Sequence, residues 1–297
     1  MSASVLFDVP GPRGRRRQRI GSVVGALVVL ALVGLAAWRL GTNGQLEPSR
    51  WAILFDTRTN VPQRLLEALL NTLEVAAVGM VAATVLGAFL AVGRLSDHAW
   101  VRIPVAAVIE FFRAVPLLVL ILFCFLFLPR TGISISAFGA LALGLTLYNM
   151  AVLAEIIRAG ILSVDRGQSE AAYAVGMRKW QVMTFILVPQ AVRRMLPVLI
   201  AQLVVLLKDS SLGFIVGYLE LLRTARSLVE TLNFQFGPIY TFQLYVAAAV
   251  IYIVVNLLLS WLARVVERRT GRSTKAAATK DAKLPADVQM GGGGGAV

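Results

Sequence analysis

Long, nearly uncharged apolar runs constrain this chain more than any other feature. A helix needs roughly 20 apolar residues to cross ~30 Å of hydrocarbon, because each residue rises ~1.5 Å and every backbone polar group must be satisfied within the segment. Residues 20–40 carry one charge, Arg39; 68–93 carry Glu74; 103–128 carry Glu110 and Arg113; 131–154 and 231–263 carry none. Residues 195–207 are too few to cross alone, but Arg193, Arg194 and Lys208 at their ends can snorkel and extend them into a sixth span. The half-length run 210–219 reads as a re-entrant or partly buried helix, which needs protein or water around it. With 58% hydrophobic and 15% charged residues, against about 45–50% and 25% in soluble domains, the chain reads as an all-α membrane protein. The run at 20–40 exceeds a signal peptide's ~7–15-residue core, and Trp38-Arg39-Leu40 has no small-residue cleavage pattern, so it reads as an uncleaved first span.

Lys and Arg outnumber Asp and Glu by 29 to 16, and their location gives the surplus its meaning. Placing the basic N-terminus 1–19, with Arg13, Arg15, Arg16, Arg17 and Arg19, in the cytoplasm puts 20 basic residues on the inner side and 8 on the outer. The positive-inside rule therefore predicts a multi-pass plasma-membrane protein with both termini cytoplasmic, and the basic excess reports orientation rather than nucleic-acid binding. The tail 265–290 lacks apolar periodicity and reads as disordered. Residues 291–297, five glycines then Ala-Val, read as a linker scar.

Chemistry within the chain has little to work with. One cysteine, Cys124, and one histidine, His98, leave no disulfide, no Cys/His metal cluster and no His-based dyad, so no catalytic or metal-ligating set is expected. No Gly-Lys dipeptide occurs, which excludes a Walker A loop.

The segment 159–194 between the fourth and fifth spans is longer than a turn and too short for a domain. Ser169 is placed to cap a short helix with Glu170 in its first turn, Gly176 to end it, and Met177 to Trp180 to begin a second amphipathic piece. Two short helices meeting at a glycine make a knob suited to passing motion from a cytoplasmic partner; a plain amphipathic loop on the headgroups is the competing reading. Within the membrane, Glu110 with Arg113 and Glu155 with Arg158 lie three residues apart and are expected to neutralise each other. Pro116 frees backbone groups beside Arg113, where a guanidinium can hold a carboxylate in bidentate fashion. At the outer end of span five, Lys208, Asp209, Ser210 and Ser211 suit a gate or an interfacial anchor.

Glu170-Ala171-Ala172, Gly176, and Ile186-Leu187-Val188-Pro189 resemble the EAA loop of the permease subunits of ABC importers. Ala154-Glu155-Ile156-Ile157-Arg158, Gly167-Gln168-Ser169, Pro189-Gln190-Ala191 and Lys208-Asp209-Ser210-Ser211-Leu212 are similar to the polar amino acid uptake branch, most closely to actinobacterial glutamate permeases. Phe112-Arg113-Ala114-Val115-Pro116-Leu117 resembles that branch's Arg-Gly-Thr-Pro-Leu motif, with Ala114 and Val115 in place of Gly-Thr. The resemblance implies a type I importer permease core of five spans at 66–264, preceded by the extra span at 20–40. It implies that Gln168, Glu170, Ala171, Ala172, Gly176 and Arg178 couple to an ATPase, and that Arg113, Pro116, Glu110, Asn149 and Glu155 face the substrate path. It also implies two ATP-binding subunits carrying ATP and Mg, an extracellular amino acid binding protein, and a second permease subunit, paralogous in preference to identical. The reading from another class is an ATP-independent carrier or channel relaying ions through Glu110, Glu155 and Asp209.

Overall fold

The computed structural model describes residues 11–281, and no strand occurs among them. Helix α1, Pro12–Thr42, is exposed along its whole apolar stretch, the pattern required of a span that meets lipid on every side. The chain returns through a turn at Pro48–Trp51 and two 3-10 turns into α2, Val61–Arg94. Helix α3, Ala99–Ala114, and α4, Leu117–Leu126, follow; then α5, Ala137–Leu162, and the short α6, Arg166–Ala174. Helix α7, Val188–Asp209, amphipathic α8, Leu221–Phe236, and α9, Thr241–Asp281, complete the fold.

Several boundaries differ from the expected ones, each for a local reason. Residues 103–128 form a broken span: Pro116 lacks an N–H and forces Val115 into extended backbone, so α3 and α4 meet at 94°. Thr131 ends a 3-10 turn rather than starting a span. The helix begins at Ser136, whose hydroxyl accepts from the Gly139 N–H at 3.1 Å, and it runs past Ala154 to Leu162. Glu155 and Arg158 are therefore helical, and the connection opens at Ser163 rather than at 159. It is also shorter at its far end. A turn at Lys179–Gln181 and a π-helical turn at Val182–Leu187 lead directly into α7, so the helical stretch Lys179–Phe214, its final 3-10 turn included, reaches 36 residues, long and apolar enough to cross a membrane. Residues 210–219 form a 3-10 turn, Ser210–Phe214, and a loop, not a helix of their own.

The expected last span at 231–263 is two elements. Thr231 to Phe236 finish α8, and Gly237-Pro238 interrupts before α9 begins. Helix α9 continues to Asp281, into the tail expected to be disordered; residues 282–290 and the linker-like 291–297 lie outside the described residues, as do 1–10 of the basic N-terminus.

Helices α2 and α5 pack along most of their length. At their crossing a Cβ on Gly87 would lie 2.9 Å from the Met150 carbonyl oxygen and 3.1 Å from Leu153 Cβ, so only glycine lets the backbones approach. The central core joins Val75, Ile121, Leu141, Leu145, Leu206 and Leu207 from α2, α4, α5 and α7. A second core joins Leu65, Leu221, Leu228 and Leu244, seating the apolar face of α8 on α2 and α9. The bundle thus has two unlike ends: a basic end, where α2 and α5 finish and α6 projects, and an opposite end capped by α8.

Candidate functional site

At the basic end the knob is assembled by its caps. Asp165, not Ser169, caps α6: its carboxylate accepts from the Gly167 N–H at 2.8 Å, while the Ser169 hydroxyl donates to the Arg166 carbonyl inside the helix. At the far end the Gly176 N–H bonds the Tyr173 carbonyl at 2.9 Å and the Met177 N–H reaches Ala172 at 3.1 Å, a Schellman closure with Gly176 at φ +82°. A Cβ on Gly176 would meet nothing within 4 Å, so the requirement for glycine is conformational. The Gln181 side chain accepts from the Arg178 N–H at 2.8 Å and starts the second piece at Lys179.

Ala172 is buried; Gln168, Glu170, Ala171, Gly176 and Arg178 are exposed. Behind that exposed front the knob is fastened. The Arg194 guanidinium bonds the Ser163 carbonyl, Gln190 Nε2 donates to Gln168 Oε1 at 3.3 Å, and Lys179 Nζ pairs with Asp97 in the loop after α2. The hydrogen bond and charge of Lys179 hold the Asp97 carboxyl below its ordinary range.

Beneath the knob lies an ion network that includes a residue the sequence reading passed over. Arg158 pairs with Glu155 as expected, Nη2 to Oε2 at 2.9 Å. Glu110 does not pair with Arg113. It faces Arg94 Nη2 at 3.6 Å, and Arg94 Nε lies 3.7 Å from Glu155 Oε1, so one guanidinium at the end of α2 ties α3 to α5. Arg94 takes Glu110 instead, and Arg113 sits in the last turn of α3, exposed, with no ion pair among the described residues. Pro116 caps α4 immediately beyond.

Midway along the bundle Asn149 is fully buried. Its Nδ2 donates to the Leu145 carbonyl at 2.8 Å, and its Oδ1 accepts from Gln202 Nε2 at 2.8 Å, joining α5 to α7. Neither Glu110, Arg113 nor Glu155 touches this pair, so the five residues expected on one path fall at two levels. Gln202 was legible as the one amide within an otherwise apolar run.

At the opposite end Ser210 is buried, its hydroxyl donating to the Leu207 carbonyl at 2.6 Å. Lys208 is exposed, and with Ser211 it lines a cavity of about 540 Å³ between α7 and α9 that also contains Tyr252 and Asn256. Asn256 Nδ2 donates to the Tyr252 carbonyl, and its buried Oδ1 has no hydrogen-bond partner. Asp209, the last residue of α7, is half-buried.

The strongest polar anchor here is Glu220, fully buried at the start of α8. It accepts from the Leu222 N–H at 2.8 Å, the Arg223 N–H at 2.6 Å and the Tyr252 hydroxyl at 2.7 Å. Burial raises its carboxyl above the ordinary value, and the three donors oppose that rise. Beside it the Leu221 N–H donates to the Thr72 hydroxyl, and the Tyr218 hydroxyl donates to the Asn71 carbonyl. Glu220, placed just before an amphipathic run, carried the sequence signal of an N-cap; its burial did not show in sequence.

No group of three candidate metal ligands occurs among the described residues. The arrangement offers a presented knob, a polar pair in the bundle and a capped opposite end.

Comparison with known proteins matches this organisation. Residues 83–272 match the family described as binding-protein-dependent transport system inner membrane component. The chain is 39% identical over 251 residues to the glutamate transport system permease protein GluD of Corynebacterium glutamicum, covering 83% of this chain and 89% of that protein. It is 40% identical to the "Probable glutamine ABC transporter permease protein GlnP" of Bacillus subtilis, over 56% of this chain and 74% of that one. A solved structure of an amino acid ABC transporter with histidines superposes with a TM-score of 0.65 at 32% identity, covering 72% of this chain and 97% of its own. With the family model spanning well over half of its length, this multi-pass chain belongs to the inner membrane components of binding-protein-dependent transport systems.

Proposed function

We propose that this chain is a membrane-spanning subunit of an ATP-driven importer that brings a polar amino acid, glutamate in particular, into the cytoplasm. The observation that carries the reading is the knob: α6 and the turn at Gly176 are braced from behind, in part through Gln168, while Glu170 and Ala171 stand exposed on its front. Two ATP-binding subunits, which hold ATP and Mg, close on the knobs of two permease subunits and rock the helices around a midplane path. The second permease is a paralogue in preference to a copy, and an extracellular binding protein delivers substrate at the end capped by α8. The knob and both termini lie in the cytoplasm, in accord with the charge distribution.

Along the path, Asn149 with Gln202 supplies amide groups in the bundle, and exposed Arg113 beside Pro116 supplies a cation for a carboxylate. Lys208, Asp209, Ser210 and Ser211 form the outer gate. Glu110 and Glu155 act on the path through Arg94 and Arg158 rather than by direct contact with substrate.

The test is uptake of radiolabelled glutamate into vesicles containing the chain, its partner permease, the ATP-binding subunits and the binding protein. ATP-dependent uptake that vanishes when the ATPase is omitted is expected; uptake driven by an ion gradient alone would replace this reading with a secondary carrier. Competition by unlabelled glutamine, aspartate, arginine and histidine ranks the substrates, and a tagged chain that pulls down a second, different permease identifies the heterodimer.

A further inference from the structure

A cavity of about 740 Å³ opens at the basic end, between the loop after α2 and the second piece of the knob. Its wall is apolar, formed by Val92, Leu95, Met183 and Val188, and its rim carries Arg178, Lys179 and His98. No residue of α6 lines it. The wall residues sit where α2 finishes and where the helix leading into α7 begins, at the ends of two helices long and apolar enough to cross a membrane. Trp180 lines the same cavity, and Trp100 stands edge-on to His98 with ring centroids 6.1 Å apart. Both indoles are exposed, as interfacial tryptophans are. Asp97 is the one carboxylate in the lining and Lys179 engages it; against that single carboxylate the lining carries both Arg178 and Lys179, so it is net basic.

We infer that this cavity binds an anionic phospholipid of the inner leaflet, with its phosphate on Arg178, Lys179 and His98 and its acyl chains along the apolar wall. The inference rests on the cytoplasmic placement of the knob. An apolar wall beside a cationic rim complements an anionic amphiphile, whereas the hydrophilic front of α6, pointing elsewhere, is the surface that suits a soluble protein. Lipid bound here touches the loop after α2 and the root of the knob together, so membrane composition would act directly on the coupling element.

The test is native mass spectrometry of the full chain in detergent, with phosphatidylglycerol or phosphatidylcholine of the same acyl composition added. No ATPase is present, so the result does not depend on whether transport is reconstituted. One tightly held phosphatidylglycerol is expected. Each basic side chain near a lipid surface contributes about 1 kcal/mol, so Arg178→Gln with Lys179→Gln should weaken retention about 25-fold, while Arg58→Gln with Arg64→Gln on the opposite end leaves it unchanged. Met183→Trp, which narrows the cavity and keeps the charges, should also reduce retention. Equal retention of phosphatidylcholine, no loss in the basic double variant, displacement by inorganic phosphate, or displacement by purified ATP-binding subunits would each overturn the assignment.

Discussion

The knob at the basic end and the cap at the opposite end are both short helices set at the edge of the same bundle, yet they use polar residues in contrary ways. In α6 the charged side chain Glu170 is exposed and makes no ion pair among the described residues, and the ties that hold the knob run through Gln168, Ser163 and Lys179 at its margins. In α8 the decisive polar side chain, Glu220, points inward and is consumed by three donors, while the outward face is left to Arg226 and Glu230, which pair with each other at 2.8 Å. A surface whose polar groups are unspent can be recognised by a partner; one whose groups are spent can only hold its place. The lesson is that satisfaction of hydrogen bonds, rather than polarity, separates a contact surface from an anchor in this fold.

That contrast predicts a separation of effects. Glu220→Ala should be the costliest single change, about 3 kcal/mol, because it strips a helix cap, removes the Tyr252 tie between α8 and α9 and leaves a cavity in a fully buried site. Unfolding in mixed micelles measures it, and a loss below about 1 kcal/mol would show that the anchor is elsewhere. Asn149→Leu should come next, at about 1–2 kcal/mol, since Gln202 loses its acceptor at mid-bundle. Gly176→Asp should cost roughly 1 kcal/mol, because only the positive φ resists it, yet it should abolish ATP-coupled uptake. Normal uptake by this variant would remove the coupling role from the knob. Smallest in stability is Glu170→Ala, expected within about 0.5 kcal/mol of the parent because the side chain is exposed. Its uptake should nevertheless fall severalfold while membrane insertion is unchanged, and a parallel loss of stability and uptake would erase the distinction between the two ends.

The knob was legible in the sequence because its devices are local, a turn glycine and a proline beyond, but Glu170 falls past the first turn because the helix starts at Arg166. Even so, the cap was assigned to Ser169 when Asp165 provides it, since both precede helical residues and only geometry separates them. The spans were legible as apolar runs, but their ends were not. Hydropathy continues through Thr231 to Phe236 although the chain there forms the end of an amphipathic helix, and the Gly237-Pro238 pair was the only local marker of the break. The bend at Pro116 was anticipated as a lost hydrogen bond, not as a 94° corner, and Glu110 is drawn to Arg94 on α2 rather than to Arg113 on its own helix. The role of Arg94 was not legible because pairing across three helices leaves no periodic trace. Structure in 265–281 was missed because a helix of Ala, Arg and Lys needs no apolar stripe.

The π-helical turn at Val182–Leu187 has a mechanical implication. A π turn is an α-helix with one residue too many, and each residue of an α-helix carries about 100° of rotation. The knob therefore meets the membrane helix with its angular phase reset by that insertion, like a gear advanced by one tooth. Excising a single residue there would leave both parts intact and aim Glu170 at the wrong side of the molecule.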